Sequence, residues 1–551
     1  MLGSARRTAG RPQQRANDVM RFPAPVGGID IRQAISGEGD MLHCVYTYNL
    51  SPYEYGMRVR SGFREWQIGI TAGAGVGVHT LIPFDSIQEG NVGNKLFAVT
   101  NEGIWDVSTY NGTPVRKATF SNTNSDAGYG TFTHYVNQAE KDVMFYADNI
   151  NGLWQYDAAT NAWTVPTGIT GIAVANVNFV MSHKNNVWFG LKNSTIGYYL
   201  PILADSGAAT PSYFGDKFKH GGTLSGMFSW TVDGGSGIDD IFIAVSHAGD
   251  VIVYTGSGPD EDDWGMKGIY YIGEIPNTPR FGSEQGGELY LLSAYGLISM
   301  NDLLQGVDTG VLKSDIGGSS PSYKIAGLVR DKMKTSIAER GWDVAMIPAE
   351  GGMLVSSPQI GTQAFIQYYY NSATRGWGIW RGVPMQCFTE YTENVYFGTA
   401  DGRVMRMDVA VDNALISPLV PALNGDDIEF SILSTYNNMG NNSLYKRVSL
   451  IRPDFLSSLP PAYSSQIRWD FDISEATNQN LKDPPLLDSA LWDINNWDNC
   501  LWGSVDNVSF PTIGGSWGTG RYAAVATRGT SRADTRLIGW DIVFSTGGPL
   551  I

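Results

Sequence analysis

Lys95-Leu96-Phe97-Ala98-Val99-Thr100-Asn101-Glu102-Gly103-Ile104-Trp105-Asp106 reads as a strand, a tight turn and a second strand. Aromatic and aliphatic residues alternate up to Thr100, Asn101 to Gly103 supply the turn, and the alternation resumes at Ile104, which is the pattern of a β-hairpin. The same unit returns as Val143 to Asp148 leading to Gly152 to Asp157, and as Val187 to Leu191 leading to Ile196 to Tyr199. Three further copies lie at Ile241 to Tyr254, Leu289 to Met300 and Val395 to Asp408. The turn glycines Gly103, Gly152, Gly197, Gly249 and Gly296 follow one another at steps of roughly 45 to 50 residues, the length of one four-stranded propeller blade. Between Gly296 and Gly402 the step doubles, and Met353 to Ser356, Ala364 to Tyr370 and Trp377 to Trp380 supply strands for the missing blade. The expectation is an all-β chain whose main body is a β-propeller of about six or seven blades. An array of β-sandwiches also gives short strands, but has no reason to repeat one hairpin at a fixed long period.

Working outward, 551 residues suffice for two or three domains or one large repeat-built domain with attachments. Hydrophobic residues make up 42% and charged residues 17%, with 66 Gly and many aromatics, a balance that favours short strands and glycine turns over charged helices. Residues 1–21 are Gly, Gln and Arg rich and read as a flexible basic arm. Residues 22–80 read as an ordered N-terminal segment packing with a platform, 81–414 as the propeller, and 415–551 as a separate C-terminal β domain forming the platform or tip. That last part contains strands such as Lys446 to Arg452 and Arg521 to Arg528, and Trp492, Trp497, Trp502, Trp517 and Trp540. One segment departs from the β pattern: Ile325, Leu328, Val329, Met333 and Ile337 recur at helical spacing, predicting a single amphipathic helix over residues 325–340 packed on a blade edge.

The formal net charge of −16 opposes phosphate and argues against sequence-specific DNA binding. Cys44, Cys387 and Cys500 are too dispersed for a disulfide framework or zinc site and read as reduced core thiols. No stretch approaches the ~18 apolar residues of a membrane span, and no apolar segment follows the N-terminal arginines, so synthesis and retention in the cytosol are expected.

Patterns that suggest catalysis lack their context. Gly514-Gly515-Ser516-Trp517-Gly518 matches the nucleophile elbow, but there the triad histidine follows the serine, and the last histidine here is His247. Gly73, Gly75 and Gly77 lack the Lys-Ser/Thr and helix of a phosphate loop. Histidines 43, 79, 134, 183, 220 and 247 form no local metal-binding pattern. The Trp-Asp dipeptides lack the Gly-His partner and regular phase of WD40 blades. No catalytic residue, metal or cofactor is therefore expected. Asp260-Glu261-Asp262-Asp263 is the densest acidic run, a solvated loop by composition and without the spaced ligands of a calcium loop. Arg6, Arg7, Arg11 and Arg15 read as a soluble tail or as a group that docks on an acidic partner.

Tyr254 to Asp260, Trp264, Gly268 to Gly273, Pro279-Arg280-Phe281 and Gly287 to Leu297 together resemble a segment of the tail nozzle proteins of short-tailed bacteriophages, also called tail tubular or packaged-DNA stabilisation proteins. Gly341-Trp342-Asp343, Gly351 to Val355, Trp377 to Trp380 and Val395 to Val404 resemble the family's following blades. The opening Phe22 to Gly28, the late Lys446 to Pro453 and the closing Gly547 to Leu550 also fit, so the resemblance runs from about Phe22 onward and lies in the order of the pieces. It implies a non-enzymatic virion protein of the tail, made in the host cytoplasm and assembled as a homo-oligomeric ring, usually of six copies, beneath an adaptor ring and near tail fibres. Such a ring is a conduit and gate for genome retention and ejection, passing double-stranded DNA without specific binding. On that reading Asp260, Glu261, Asp262 and Asp263 line the bore, and Arg6, Arg7, Arg11 and Arg15 dock on the adaptor. The rival expectation is a receptor-binding or glycan-recognising tail propeller, although the S-x-D-x-G-x-T-W box of sialidase-like propellers is absent.

Overall fold

The computed structural model describes residues 18–36, 39–70, 76–87, 93–231, 240–285, 287–304, 321–416, 425–477, 508–509, 514–515 and 518–547. The chain divides into two compact units, Arg60–Ile428 and a second formed by Met1–Val59 with Glu429–Ile551.

The larger unit is a propeller, and its geometry follows from the recurring hairpin. In the first sheet Val78–Phe84, Lys95–Thr100, Gly103–Asp106 and Val115–Thr119 pair antiparallel in chain order. Gly130–Val136, Val177–His183 and Leu224–Thr231 open the next three four-stranded sheets. Gly282–Gln285, Glu288–Ser293 and Gly296–Ser299 form a fifth sheet of three described strands. Asp343–Ile347 opens the sixth sheet and Cys387–Tyr391 the seventh. Each sheet touches the next, and the seventh touches the first, so the described residues close a ring of seven sheets. The first strands all run the same way along the axis, which gives the unit a strand-start face and a strand-end face.

The ring is closed by an exchange along the chain. The fourth strand of the seventh sheet is Gly62–Gln67, which pairs with Val404–Val409. Residues 60–70 and 76–80, assigned from sequence to the N-terminal segment, thus belong to the propeller unit: Gly62–Gln67 find their partners about 340 residues downstream, and Val78 and Thr80 pair with Thr100 and Val99 of the first sheet. Phe63 and Trp66 are also buried among residues of that sheet and its neighbours. The propeller extends to Ile428 rather than to 414, since Asp412 and Asp426 exchange backbone hydrogen bonds.

The core is distributed between sheets rather than gathered at one centre. Ile82, Phe84, Phe97, Tyr146, Tyr156 and Trp163 fill the space between the first and second sheets, and Phe179, Trp188, Phe214, Phe242 and Tyr254 that between the third and fourth. Each such layer removes several large side chains from water, at about 25 cal/mol per Å² of apolar surface.

The turn glycines join the second and third strands of their sheets. Gly249 has φ +98, and a Cβ there would stand 2.0 Å from the Gly273 carbonyl oxygen. Gly197 is an exception to the expected pattern: it sits within Ile196–Tyr199, and the turn before it is taken by Asn193 at φ 51. The expected helix is a 3-10 turn, Pro321–Ile325, followed by Ala326–Ser336, which buries Val329 and Met333 on the way from the fifth sheet to the sixth.

In the smaller unit two long strands, Lys446–Ser457 and Thr535–Thr546, pair along their whole lengths, and Asp18–Pro23 adds to the second of them. Ala462–Trp469 pairs with Ala523–Ser531, whose Ala524 and Ala526 pack with Tyr46, Leu433 and Tyr436. N-terminal and C-terminal segments therefore build one β-rich platform. Trp540 is fully buried and donates to Thr527 Oγ1 at 2.9 Å; the other tryptophans of that stretch lie outside the described residues.

Candidate functional site

The strand-end face carries the acidic loop. Residues 256–264 link Asp250–Thr255 to Gly265–Tyr271, the third and fourth strands of the fourth sheet. The loop is held by its own acids: Asp263 accepts from the Ser257 amide at 3.0 Å and from its hydroxyl at 2.7 Å. Those bonds hold the Asp263 carboxyl below its ordinary range. Tyr199 of the neighbouring sheet donates to Asp260 Oδ1 at 2.6 Å, and burial together with that bond pushes the phenol up to about 12. Lys184 donates to the Gly256 carbonyl at 2.5 Å. Trp264 anchors the loop's end, stacking on Tyr254 at 5.4 Å. Two of the four carboxylates thus shape the loop, and Glu261 and Asp262 extend the exposed acidic tip.

Other acids gather on the same face because the turns there happen to carry them: Glu140, Asp205, Glu350 and Glu393 in or beside strand-end turns, with Asp240 and Glu284 nearer the axis. The turns and connections of the strand-start face carry Lys192, Lys217, Lys219, Lys334 and Arg340 together with Glu102, Asp126, Asp216, Glu274, Glu339 and Asp401. The strand-start face is of mixed charge, while on the strand-end face neighbouring carboxylates within a Debye length of about 8 Å reinforce one another's field.

At the strand-end mouth a cavity of about 810 Å³ is lined by His134, Ser182, His183, Ser229, Asp240 and Glu284, among others. His134 Nε2 lies 2.5 Å from Asp142 Oδ1, and Thr231 donates to Asp240 through its hydroxyl at 2.7 Å and to Glu284 through its amide at 3.0 Å. His183, 1% exposed, pairs its Nδ1 with Ser229 Oγ at 2.8 Å, while its Nε2 has no hydrogen-bond partner; burial holds the ring down to about 3.

Deeper along the axis a side chain bridges the ring. Arg280, just before the fifth sheet, donates to the His79 carbonyl of the first sheet at 3.0 Å and lies 3.4 Å from Asp343 of the sixth. Burial raises Asp343 to about 6 against the pull of this arginine. His79 stacks on Tyr129 at 4.1 Å, and burial holds it down to about 4. This network was not expected from sequence. Its one signal was an arginine set between Pro279 and Phe281.

Of the sequence-derived candidates, Asp260, Glu261, Asp262 and Asp263 come together on one loop, whereas Arg6, Arg7, Arg11 and Arg15 lie outside the described residues, as does Ser516. Among the described residues no group of three or more His, Cys, Asp or Glu could hold a metal ion, and no helix is long and apolar enough to cross a membrane. Cys44 and Cys387 are buried thiols that form no disulfide among the described residues; Cys500 is outside the described residues.

No family model matches the chain, and no curated protein does. Among solved structures, the WD40 β-propeller domain of Doa1 is similar at 9% identity and a TM-score of 0.36, over 61% of this chain and 95% of that one. The computationally designed Ika8 protein is similar at 9% identity and a TM-score of 0.33, over 69% and 100%. BBS1N in complex with ARL6DN follows at 11% identity and 0.28, over 44% and 74%. The propeller assignment stands on the sheet order and ring closure of the chain itself.

Proposed function

We propose that the protein is a structural subunit of the tail nozzle of a short-tailed bacteriophage, acting in a homo-oligomeric ring that conducts and gates the genome. The observation that carries this reading is the cluster of acids on the strand-end face, with Glu261 and Asp262 at the tip of an internally braced loop. A wall of fixed carboxylates gives phosphate no cation to pair with and releases no counterions, so duplex DNA passes without being held. Arg280 crosses the propeller's own axis, so the conduit is the space enclosed between subunits and not the hole within one. A closed propeller leaves few free strand edges, which suits a rigid member of a cyclic ring with heterologous contacts. The ordered resemblance to nozzle proteins supplies the partners: an adaptor ring above, tail fibres beside, and about six copies.

Negative-stain electron microscopy of the purified protein, alone and mixed with tail-deficient particles, tests this. Rings, or knobs added beneath the portal vertex, are expected; monomers that associate with nothing would overturn it. The polar strand-end cavity, rich in hydroxyl, imidazole and carboxylate groups, favours a second reading as a glycan-recognising tail propeller. Clearing of capsule or cell-wall polysaccharide by the isolated protein would select that alternative.

A further inference from the structure

The axis opens at both ends, and the two mouths differ in chemistry. The strand-end cavity includes Asp240 and Glu284 in its lining. The strand-start cavity, about 230 Å³, is lined by Lys192, Arg340, His247, Asn178, Asn193 and Asn277 with further amide, hydroxyl and apolar groups, and none of its lining residues is Asp or Glu. Its position is fixed by the fold. Asn178 is near the start of the third sheet's first strand, Lys192 and Asn193 lie in that sheet's second turn, and Asn277 and Arg340 lie on the connections into the fifth and sixth sheets. Those two connections are tied together, since Asn277 donates from its amide to the Ile337 carbonyl at 2.8 Å and from its side chain to Ala338 at 3.0 Å.

Each cation here has an acid neighbour outside the cavity lining: Asp148 for Lys192, Asp126 for Arg340 and Glu274 for His247. The Lys192 ammonium donates to the carbonyls of Ala175 at 2.9 Å and Ile150 at 3.4 Å, and no described carboxylate forms an ion pair with it. The nearest acid to Arg340 is Asp126, 3.8 Å from Nε, which is buried and makes no hydrogen bond. His247 faces Glu274 at 3.8 Å on the exposed rim. Two cations, several amide donors and no lining carboxylate form a receptor for an oxyanion, because charge-assisted hydrogen bonds to such a group are the strong ones.

We propose that the strand-start mouth binds a small phosphate, either inorganic phosphate or a compact phosphate monoester, with Lys192 and Arg340 supplying charge and the asparagine side chains donating to the remaining oxygens. The volume admits one phosphate group with a small attached moiety and excludes a duplex backbone. The site is independent of the nozzle reading, so either can fail alone.

Thermal unfolding of the full chain, followed in sodium phosphate and in sodium chloride at matched ionic strength, tests the proposal. A saturable rise in midpoint with phosphate and none with chloride is expected, since a ligand of the folded state stabilises by mass action. Glucose 6-phosphate, run in parallel, distinguishes the sources: a larger rise assigns the site to a monoester, an equal or smaller one to the inorganic ion. Asn193→Asp places a carboxylate at the exposed rim, in a residue type that accepts the left-handed backbone found there. Together with Lys192→Gln it is expected to weaken the phosphate response about tenfold or more. An equal rise in chloride, or a phosphate response unchanged in both variants, overturns the assignment.

Discussion

Single residues hold this protein at points where the backbone or a buried charge leaves no alternative. Gly249 turns the fourth sheet with φ +98 and leaves no room for a Cβ against Gly273. Gly249→Ala is expected to destabilise by more than about 1 kcal/mol, from strain and displacement together, and a denaturant melt will read it. Arg280→Met strands the buried Asp343 carboxylate and is expected to cost about 3–5 kcal/mol, whereas Arg280→Met with Asp343→Asn costs much less; additive losses would show that the two do not interact. Protonation gives a third test. Burial holds His183 down to about 3 and His79 down to about 4, so their contribution is present above pH 6.5 and is lost as the pH falls, each by about 2 kcal/mol at pH 5. Asp343, raised to about 6, has the opposite sign: its contribution is present below pH 3.8 and is lost as the pH rises through 6. The net expectation is a melting temperature that falls from pH 7 to pH 5, and His183→Gln should flatten that slope. An identical slope in the variant would remove His183 from the explanation.

At the scale of elements, the closing strand matters most. Gly62–Gln67 completes the seventh sheet and puts Phe63 and Trp66 into the interfaces on either side. Ring closure joins the two ends of the propeller unit, so its loss affects all seven sheets together. Phe63→Asp is expected to abolish cooperative unfolding of the propeller unit, because it buries an unpaired charge at that junction, and differential scanning calorimetry will show whether the main transition disappears. The hairpin text found in the sequence corresponds to the second and third strands of each sheet, whose faces pack on both neighbouring sheets. First strands were harder to see since they also border the axis and carry residues such as Thr131, Thr133, Ser182 and Ser229. Fourth strands are short and outward-facing, as Ala162–Thr164 illustrates.

For the whole molecule, charge arrangement outweighs net charge. A value of −16 repels other copies, and subunits that meet side by side align their acidic strand-end loops. Ring assembly is then expected to strengthen with added salt up to about 0.15 M, as screening reduces repulsion between aligned faces over a Debye length of about 8 Å. Sedimentation velocity across a salt series measures this, and rings that fall apart with modest salt would indicate that opposite charges hold the subunits together instead.

Sequence alone determined the all-β class, the propeller and the amphipathic helix at Ala326–Ser336, because strand alternation, turn glycines and helical spacing are local properties repeated along the chain. It also located Asp260 to Asp263 as one acidic run. Only the tertiary structure decided that residues 62–67 leave the N-terminal segment to close the ring, that Asp260 and Asp263 brace their own loop, and that Arg280 meets His79 and Asp343 across the axis. Each of these depends on partners that the chain brings together from tens to hundreds of residues away, and hydrogen-bond pairing and burial at such separations leave no periodic mark in the text.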